Sequence, residues 1–303
     1  MASNKTVYTM RQDAGDICSG SFSSAHILRE LMPRLHKMRE TGDSTLLSGL
    51  STGFKELDQM GKGLHPGELI VVAARPGMGK QQFVWQIAMH VACELKETVA
   101  YFSMNQSRTF LLKNMTGFAA QIDLHRLKDN QLNEQEWESY TSMVQKIAIS
   151  PLTINDSSAD PRVIREEAKF LCKSDNSPKL IVVDRIPTQS DTGSEIGRRM
   201  SNMSADIYRI ARDNGIPVIA LAGISREVES RKCKYPMLAD VASADGLQWY
   251  ADTVITLYRD AIYNRDTEEK DTTHITMLKS FYGGGGGVAL NRSGYGKFAS
   301  LPV

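Results

Sequence analysis

The chain is short of three things, and each shortage closes off a class of function. It has only four cysteines in 303 residues, Cys18, Cys93, Cys172 and Cys233, with no CxxC pair and no histidine at ligand spacing. That excludes a zinc cluster or a disulfide framework as the organising feature and points to reduced thiols. No run approaches the ~18 apolar residues of a membrane span. The opening MASNKTVYTMRQDAGDICSG has no apolar signal core, so the expected setting is the cytoplasm, with no membrane partner. Nor is there an excess of charge. Lys and Arg number 36 against 35 Asp and Glu, a formal net charge of +1, so any nucleic-acid contact must rest on local loops. The histidines (His26, His36, His65, His90, His125 and His274) share no face with a serine, cysteine or ligand set and are assigned no catalysis.

What is present is ordinary globular composition, 41% hydrophobic and 23% charged, at a length that suits one large domain with an appendage. Residues 1–23 are polar and aperiodic and read as a loose arm. In SSAHILRELMPRLHKMRE, the spacing of Ile27, Leu28, Leu31, Met32, Leu35 and Met38 predicts a helix. Pro33 should either kink that helix or begin it. The helix could pack on its own domain or dock on a neighbouring subunit. Residues 1–43 are therefore taken as an arm with a linker-type helix, and 44–303 as the main domain.

From residue 44 onward, near-continuous apolar runs read as strands: ELIVVAA (68–74), TVAYFS (98–103), LTIND (152–156), KLIVVD (179–184) and IPVIALA (216–222). Amphipathic stretches at 80–95, 107–121, 160–173 and 196–214 lie between most of them. Strands apolar on both faces and separated by helices imply an α/β fold, a mainly parallel sheet flanked by helices. The later runs 252–259, 273–279 and 287–292 follow one another without helices and should add antiparallel strands at the C-terminal edge. GGGGG at 283–287 reads as a flexible turn.

One turn carries chemistry. In VVAARPGMGKQQF (71–83), a strand runs into a glycine-rich loop and then a helix bearing Phe83, Ile87 and Val91 on one face. This is the context of a phosphate-binding loop. Arg75, Pro76, Gly77, Met78, Gly79, Lys80 and Gln81 form the candidate nucleotide contact. Backbone N–H groups would cradle phosphates, and Lys80 would reach the β- and γ-oxygens of ATP. Gln81, however, stands where a serine or threonine hydroxyl normally holds Mg²⁺. Asp184, closing LIVVD, suits a residue that holds the same ion through water.

From LLSGLSTGFKELDQMGKGLHPGELIVVAARPGMGK onward, the chain resembles the C-terminal, RecA-like ATPase domain of the DnaB-type replicative DNA helicases. YFSM, IVVD, EIGRRMSNMSADIYRIARDNGIPVIAL, SREVESR, LAD and ADTVITLYRDAIY follow in the family's order, so the likeness spans about 44–303. The helix at 24–40 resembles the family's linker helix, and no counterpart of its separate N-terminal helical domain is read before it. The resemblance implies a RecA-like P-loop NTPase that assembles as a ring, normally a hexamer, and threads single-stranded DNA. It places DNA-facing loops near 185–200 and 236–250, with Arg198 and Arg199 as candidate phosphate contacts. Tyr258, and Arg259 with it, resemble family residues near the nucleotide base. Another replicative helicase, a loader or a primase are the partners it suggests.

The same resemblance shows where this chain departs. The family's catalytic carboxylate lies in a segment like FSLEM, and here YFSMNQS puts Asn105 in its place. An amide carries no negative charge and takes no proton. The γ-phosphate-sensing glutamine of LSQLSR becomes Gly223 in LAGISR. The KQR segment, which reaches a neighbour's site, becomes LKSF, keeping Lys279 for the trans contact but placing Phe281 at the arginine. RESGSIEQDAD becomes ASADGLQWYAD. Glu56, Asp58, Asp156 or a carboxylate near 191–195 are candidate substitutes for the missing base.

The expectation is a helicase-like domain that binds ATP and single-stranded DNA with impaired hydrolysis, the alternative being an inactive relative that regulates an active ring. A recombinase of the same core is disfavoured by LSTGFKELD and SREVESR. Trp85 is expected in the core. Trp249 and Tyr250 could stack on bases or close a gap between subunits.

Overall fold

A strand that is apolar on both faces must be covered on both, and the sheet at the centre of this chain is built that way. The structure is a computed structural model that describes residues 23–41, 49–158, 160–186, 203–242, 246–281 and 285–301. Among these, ten strands form one sheet. They are β1 (Leu69–Ala74), β2 (Val99–Ser103), β3 (Leu152–Asn155), β4 (Leu180–Asp184), β5 (Val218–Ile224), β6 (Val241–Ala242), β7 (Thr253–Tyr258), β8 (Thr272–Lys279), β9 (Gly286–Arg292) and β10 (Phe298–Ser300). The order is β10-β9-β8-β7-β1-β5-β4-β2-β3, with β6 paired to β5 off this path.

From β7 to β3 neighbouring strands run parallel, and β8, β9 and β10 are antiparallel. The antiparallel edge therefore begins one strand later than expected. A short helical turn at Leu247–Tyr250 returns the chain before β7, which enters parallel to β1. Part of the glycine tract is strand rather than turn. Gly286 and Gly287 belong to β9 and pair with Met277 and Thr276, while 283 and 284 lie outside the described residues.

Alternation along β1 sets the two layers. Ile70, Val72 and Ala74 face a core with Phe83, Ile87 and Leu111. Leu69, Val71 and Ala73 face the other, with Ile164, Ile207 and Ile210. The N-terminal helix, α1 (Ser24–Thr41), belongs to a separate compact unit ending at Ser48. It continues through Pro33, so that residue does not begin it. In the main unit, α2 (Lys55–Gly61) precedes β1, and the first layer is closed by α3 (Lys80–Met89), whose last turn passes into a π-helical turn at His90–Glu94. Phe83 is fully buried, stacked on Phe54 at 4.8 Å and edge-on to Phe298 at 5.6 Å. Burying such a ring contributes roughly 1.5–3 kcal/mol. Trp85 lies in the same core, as expected.

A helix not read from the sequence, Glu134–Ala148, starts at a reciprocal cap. Asn133 accepts from the Glu136 N–H and Glu136 accepts from the Asn133 N–H.

Candidate functional site

The carboxyl ends of the parallel strands open at one edge of the sheet, where ligands of such folds gather. β1 ends at Ala74 and passes into the loop Arg75–Gly79, with φ of 81° at Gly77 and 91° at Gly79. Gly79 is the N-cap of α3. A Cβ there would lie 3.1 Å from the Phe298 ring in a backbone conformation that side chains disfavour, so the loop's curvature depends on glycine. The first turn of α3 carries no acidic residue, and its N–H groups and dipole favour an anion. Lys80 Nζ lies 3.4 Å from the Ala74 carbonyl.

Eight residues expected from the sequence line one cavity of about 410 Å³ here: Arg75, Pro76, Gly77, Gly79, Lys80, Gln81, Asp184 and, just past the end of β2, Asn105. The remaining loop residue, Met78, does not. It is buried beneath the loop, where its Sδ accepts from the Arg259 N–H at 3.2 Å. Arg259 backs the loop in the same way, donating to the Gly77 carbonyl at 3.4 Å. Lys279 is also outside the cavity and donates to the Ala251 carbonyl. Arg198 and Arg199 lie outside the described residues. Trp249 is exposed, and Tyr250 is tilted against Tyr208 at 5.8 Å.

The hydrogen bonds around Asp184 have a fixed direction. The indole N–H of Trp85 can only donate, and it donates to the Tyr101 hydroxyl at 3.2 Å. The Tyr101 proton therefore points onward to Asp184 Oδ2, at 2.6 Å. Gln81 Nε2 donates to the same oxygen at 2.7 Å and to Gln106 Oε1 at 3.2 Å. Burial pushes the Asp184 carboxyl up from its ordinary range, against the hydrogen bonds from Tyr101 and Gln81. Burial likewise raises the Tyr101 phenol, with the adjacent Asp184 charge adding to it. The proton on Tyr101 is thus firmly held, and the chain of donors ends on the carboxylate.

The substitutes considered for a catalytic base stand elsewhere. Asp58 accepts from the Ser51 and Thr52 hydroxyls, each at 2.7 Å. Asp156 accepts from the Arg108 N–H at 2.8 Å. Neither they nor Glu56 line the cavity, and residues 191–195 lie outside the described residues. Among the described lining residues, Asp184 is the sole carboxylate. Gly223, on β5, is paired across to Ala74 and Ala242 and offers no side chain to the edge.

Five lining residues were not read as site residues from the sequence: Gln82, Ser103, Gln106, Arg185 and Arg292. Ser103 and Gln106 flank Asn105, and Arg185 follows Asp184, so proximity to the motifs could have found them. Arg292 had no such signal. It ends β9, and the register brings Phe298 opposite it. Phe298 is tied to α3 by a two-way amide pairing with Gln86, whose Nε2 donates to its carbonyl at 2.8 Å and whose Oε1 accepts from its N–H at 3.0 Å. Burial lowers the Arg292 pKa and nearby Arg259 lowers it further, against a smaller opposing pull from Asp271.

Chemically, the cavity fits a polyphosphate: a helix N-terminus, a lysine and three arginines converge on it. It does not fit a magnesium ion as the side chains stand. The hydroxyl after Lys80 is replaced by an amide, and the Asp184 oxygen beside it already takes two donors.

The model of the DnaB-like helicase C-terminal domain matches residues 49–300. The replicative DNA helicase DnaB of Geobacillus stearothermophilus is 34% identical over 262 residues, covering 84% of this chain and 57% of its own length. The replicative DNA helicase DnaC of Bacillus subtilis is 33% identical over 262 residues, with coverages of 84% and 57%. The chain thus spans little more than half the length of these curated relatives. Among solved structures, a DnaB-like replicative helicase, described with its interactions with primase, superposes with a TM-score of 0.78 at 26% identity, over 90% of this chain and 66% of that one. A second solved structure, an isolated ATPase domain, gives a TM-score of 0.80 at 26% identity, over 91% of this chain and 99% of that one.

Proposed function

The chain belongs to the family of DnaB-like helicase C-terminal domains, and from that premise we propose that it binds ATP at the loop 75–81 and single-stranded DNA, as a subunit of a ring normally of six, with hydrolysis impaired. One observation carries this reading. The cavity keeps Lys80 and its arginines, while its sole described carboxylate, Asp184, is engaged by Tyr101 and Gln81, and Asn105 stands where a base belongs.

Gripping phosphate and orienting water are separable tasks. The first needs N–H groups and fixed cations, which are present. The second needs a carboxylate near the attacking water, and its loss costs ~10²–10⁴ in rate. A trans arginine, for which Phe281 stands here, is worth ~10³–10⁵ in P-loop enzymes. Lys279 is proposed to keep the trans contact, and Arg198 and Arg199 to meet DNA phosphates. A second reading follows from the same observation. A subunit that holds ATP but does not turn it over could enter the ring of an active replicative helicase and stall it. Loader and primase, the latter a partner of one structural relative, are the other proteins to test.

The deciding experiment measures ATP binding and ATP hydrolysis by the purified protein, with and without single-stranded DNA, beside Lys80→Ala. The expected result is ATP binding that Lys80→Ala abolishes, with turnover no higher than in that variant. Turnover that rises with DNA and vanishes in Lys80→Ala would overturn the impaired-hydrolysis reading and establish a working motor.

A further inference from the structure

We propose that this cavity holds the phosphates of its nucleotide without a divalent cation, with Arg292 supplying, from the same chain, positive charge that a metal would otherwise bring. The proposal rests on the nucleotide reading above and extends it to how the phosphates are neutralised.

Two independent pieces of geometry support it. The first is at Asp184. A cation approaching its Oδ2 would have to displace both the Tyr101 hydroxyl at 2.6 Å and the Gln81 amide at 2.7 Å. Tyr101 is fully buried, and its oxygen already accepts from Trp85, so turning its proton away would leave a buried donor unpaired. The Gln81 amide cannot simply flip, because both of its Nε2 partners, Asp184 Oδ2 and Gln106 Oε1, are acceptors. The orientation is set by its surroundings.

The second is at Arg292. Its guanidinium lies between two glycines that make room for it. A Cβ at Gly79 would sit 3.4 Å from its Nε, and one at Gly296 would sit 2.9 Å from its Nη2. The first of these glycines is the N-cap of α3, so the guanidinium lies beside the helix start where phosphates seat. Its Nε is buried with no hydrogen-bond partner among the described residues, and Arg259 adds like charge nearby. A partly buried guanidinium with an unsatisfied donor is unfavourable alone and favourable once an anion arrives. A guanidinium also meets two phosphate oxygens at once, which an ammonium does not. Lys80, Arg185 and Arg75, the last also paired with Glu229 at 2.8 Å, line the cavity against Asp184 alone among the described lining residues, so cations outnumber anions where a polyphosphate would seat.

The test is calorimetric titration of the full chain with ATP, once in excess Mg²⁺ and once in EDTA. The expected outcome is affinities within about threefold of each other, with Arg292→Ala weakening binding in EDTA by about tenfold or more, the scale of a charge-assisted contact. Arg292→Lys should recover part of that loss, and its thermal midpoint reports that the β9–β10 edge is intact. Gln81→Thr should introduce a dependence on Mg²⁺ that the natural chain lacks. An affinity that falls more than tenfold in EDTA overturns the proposal, as does Arg292→Ala binding like the natural chain. No ATP binding in either buffer would overturn the nucleotide reading itself, and this proposal with it.

Discussion

β1 and β5 lie side by side in parallel register from Leu69↔Val218 to Ala74↔Gly223, yet their carboxyl ends do different things. β1 delivers a loop shaped by two positive-φ glycines, a lysine and a helix N-terminus. β5 ends at Gly223 and Ile224 in a two-residue antiparallel pairing with β6, and presents backbone where the family presents an amide side chain. β2, one strand beyond β4, ends near Asn105 in place of a carboxylate. The apolar side chains of all three strands are buried alike. A fold of this kind separates the layers that hold it together from the edge that does chemistry, and the edge can change without disturbing the layers.

Phe83→Ala strikes the layer beneath the grip and should be the most damaging change. It removes a ring packed between Phe54 and Phe298 and should lower unfolding stability by ~3–5 kcal/mol, read as a shift in denaturant midpoint. A loss under about 1 kcal/mol, the scale of a surface change, would mean that α3 is not anchored as described. Gly79→Ala tests the grip itself. Forcing a side chain into φ 91° against Phe298 should cost ~1–3 kcal/mol and weaken ATP binding in titration, whereas unchanged affinity would show that the loop's curvature is not required. Asn105→Glu addresses the chemical edge and should change least. With Gly223 and Phe281 still in place, ATP turnover should stay at the level of the Lys80→Ala control, since groups that act as a unit are not restored singly. Turnover well above that control would show that one carboxylate was all the edge lacked.

The layers were legible because they obey local rules. LIVVAA and LIVVD leave no polar face along their length, and such runs suit interior strands. The loop was legible because glycine spacing before a lysine is a short-range signal. The helix Glu134–Ala148 was overlooked, although Trp137, Tyr140, Met143, Val144 and Ile147 fall at helical spacing and the cap NEQE marks its start. β7 was read in the wrong direction relative to β1, because direction depends on how the chain returns, which period-two patterning does not encode. Arg292 was invisible, lying 212 residues from Lys80 along the chain.

By itself, then, the sequence determined eight of the ten described strands, the phosphate loop and the absence of a carboxylate at 105, since each is written in contiguous residues. Only the tertiary structure decided what the altered edge does instead. It aims Trp85 and Tyr101 so that their protons run to Asp184, turns the amide of Gln81 onto the same oxygen, and folds β10 onto α3 so that Arg292 reaches the loop. Hydrogen-bond direction and charge proximity arise between residues far apart in the chain, so they exist only once packing has fixed where each donor points.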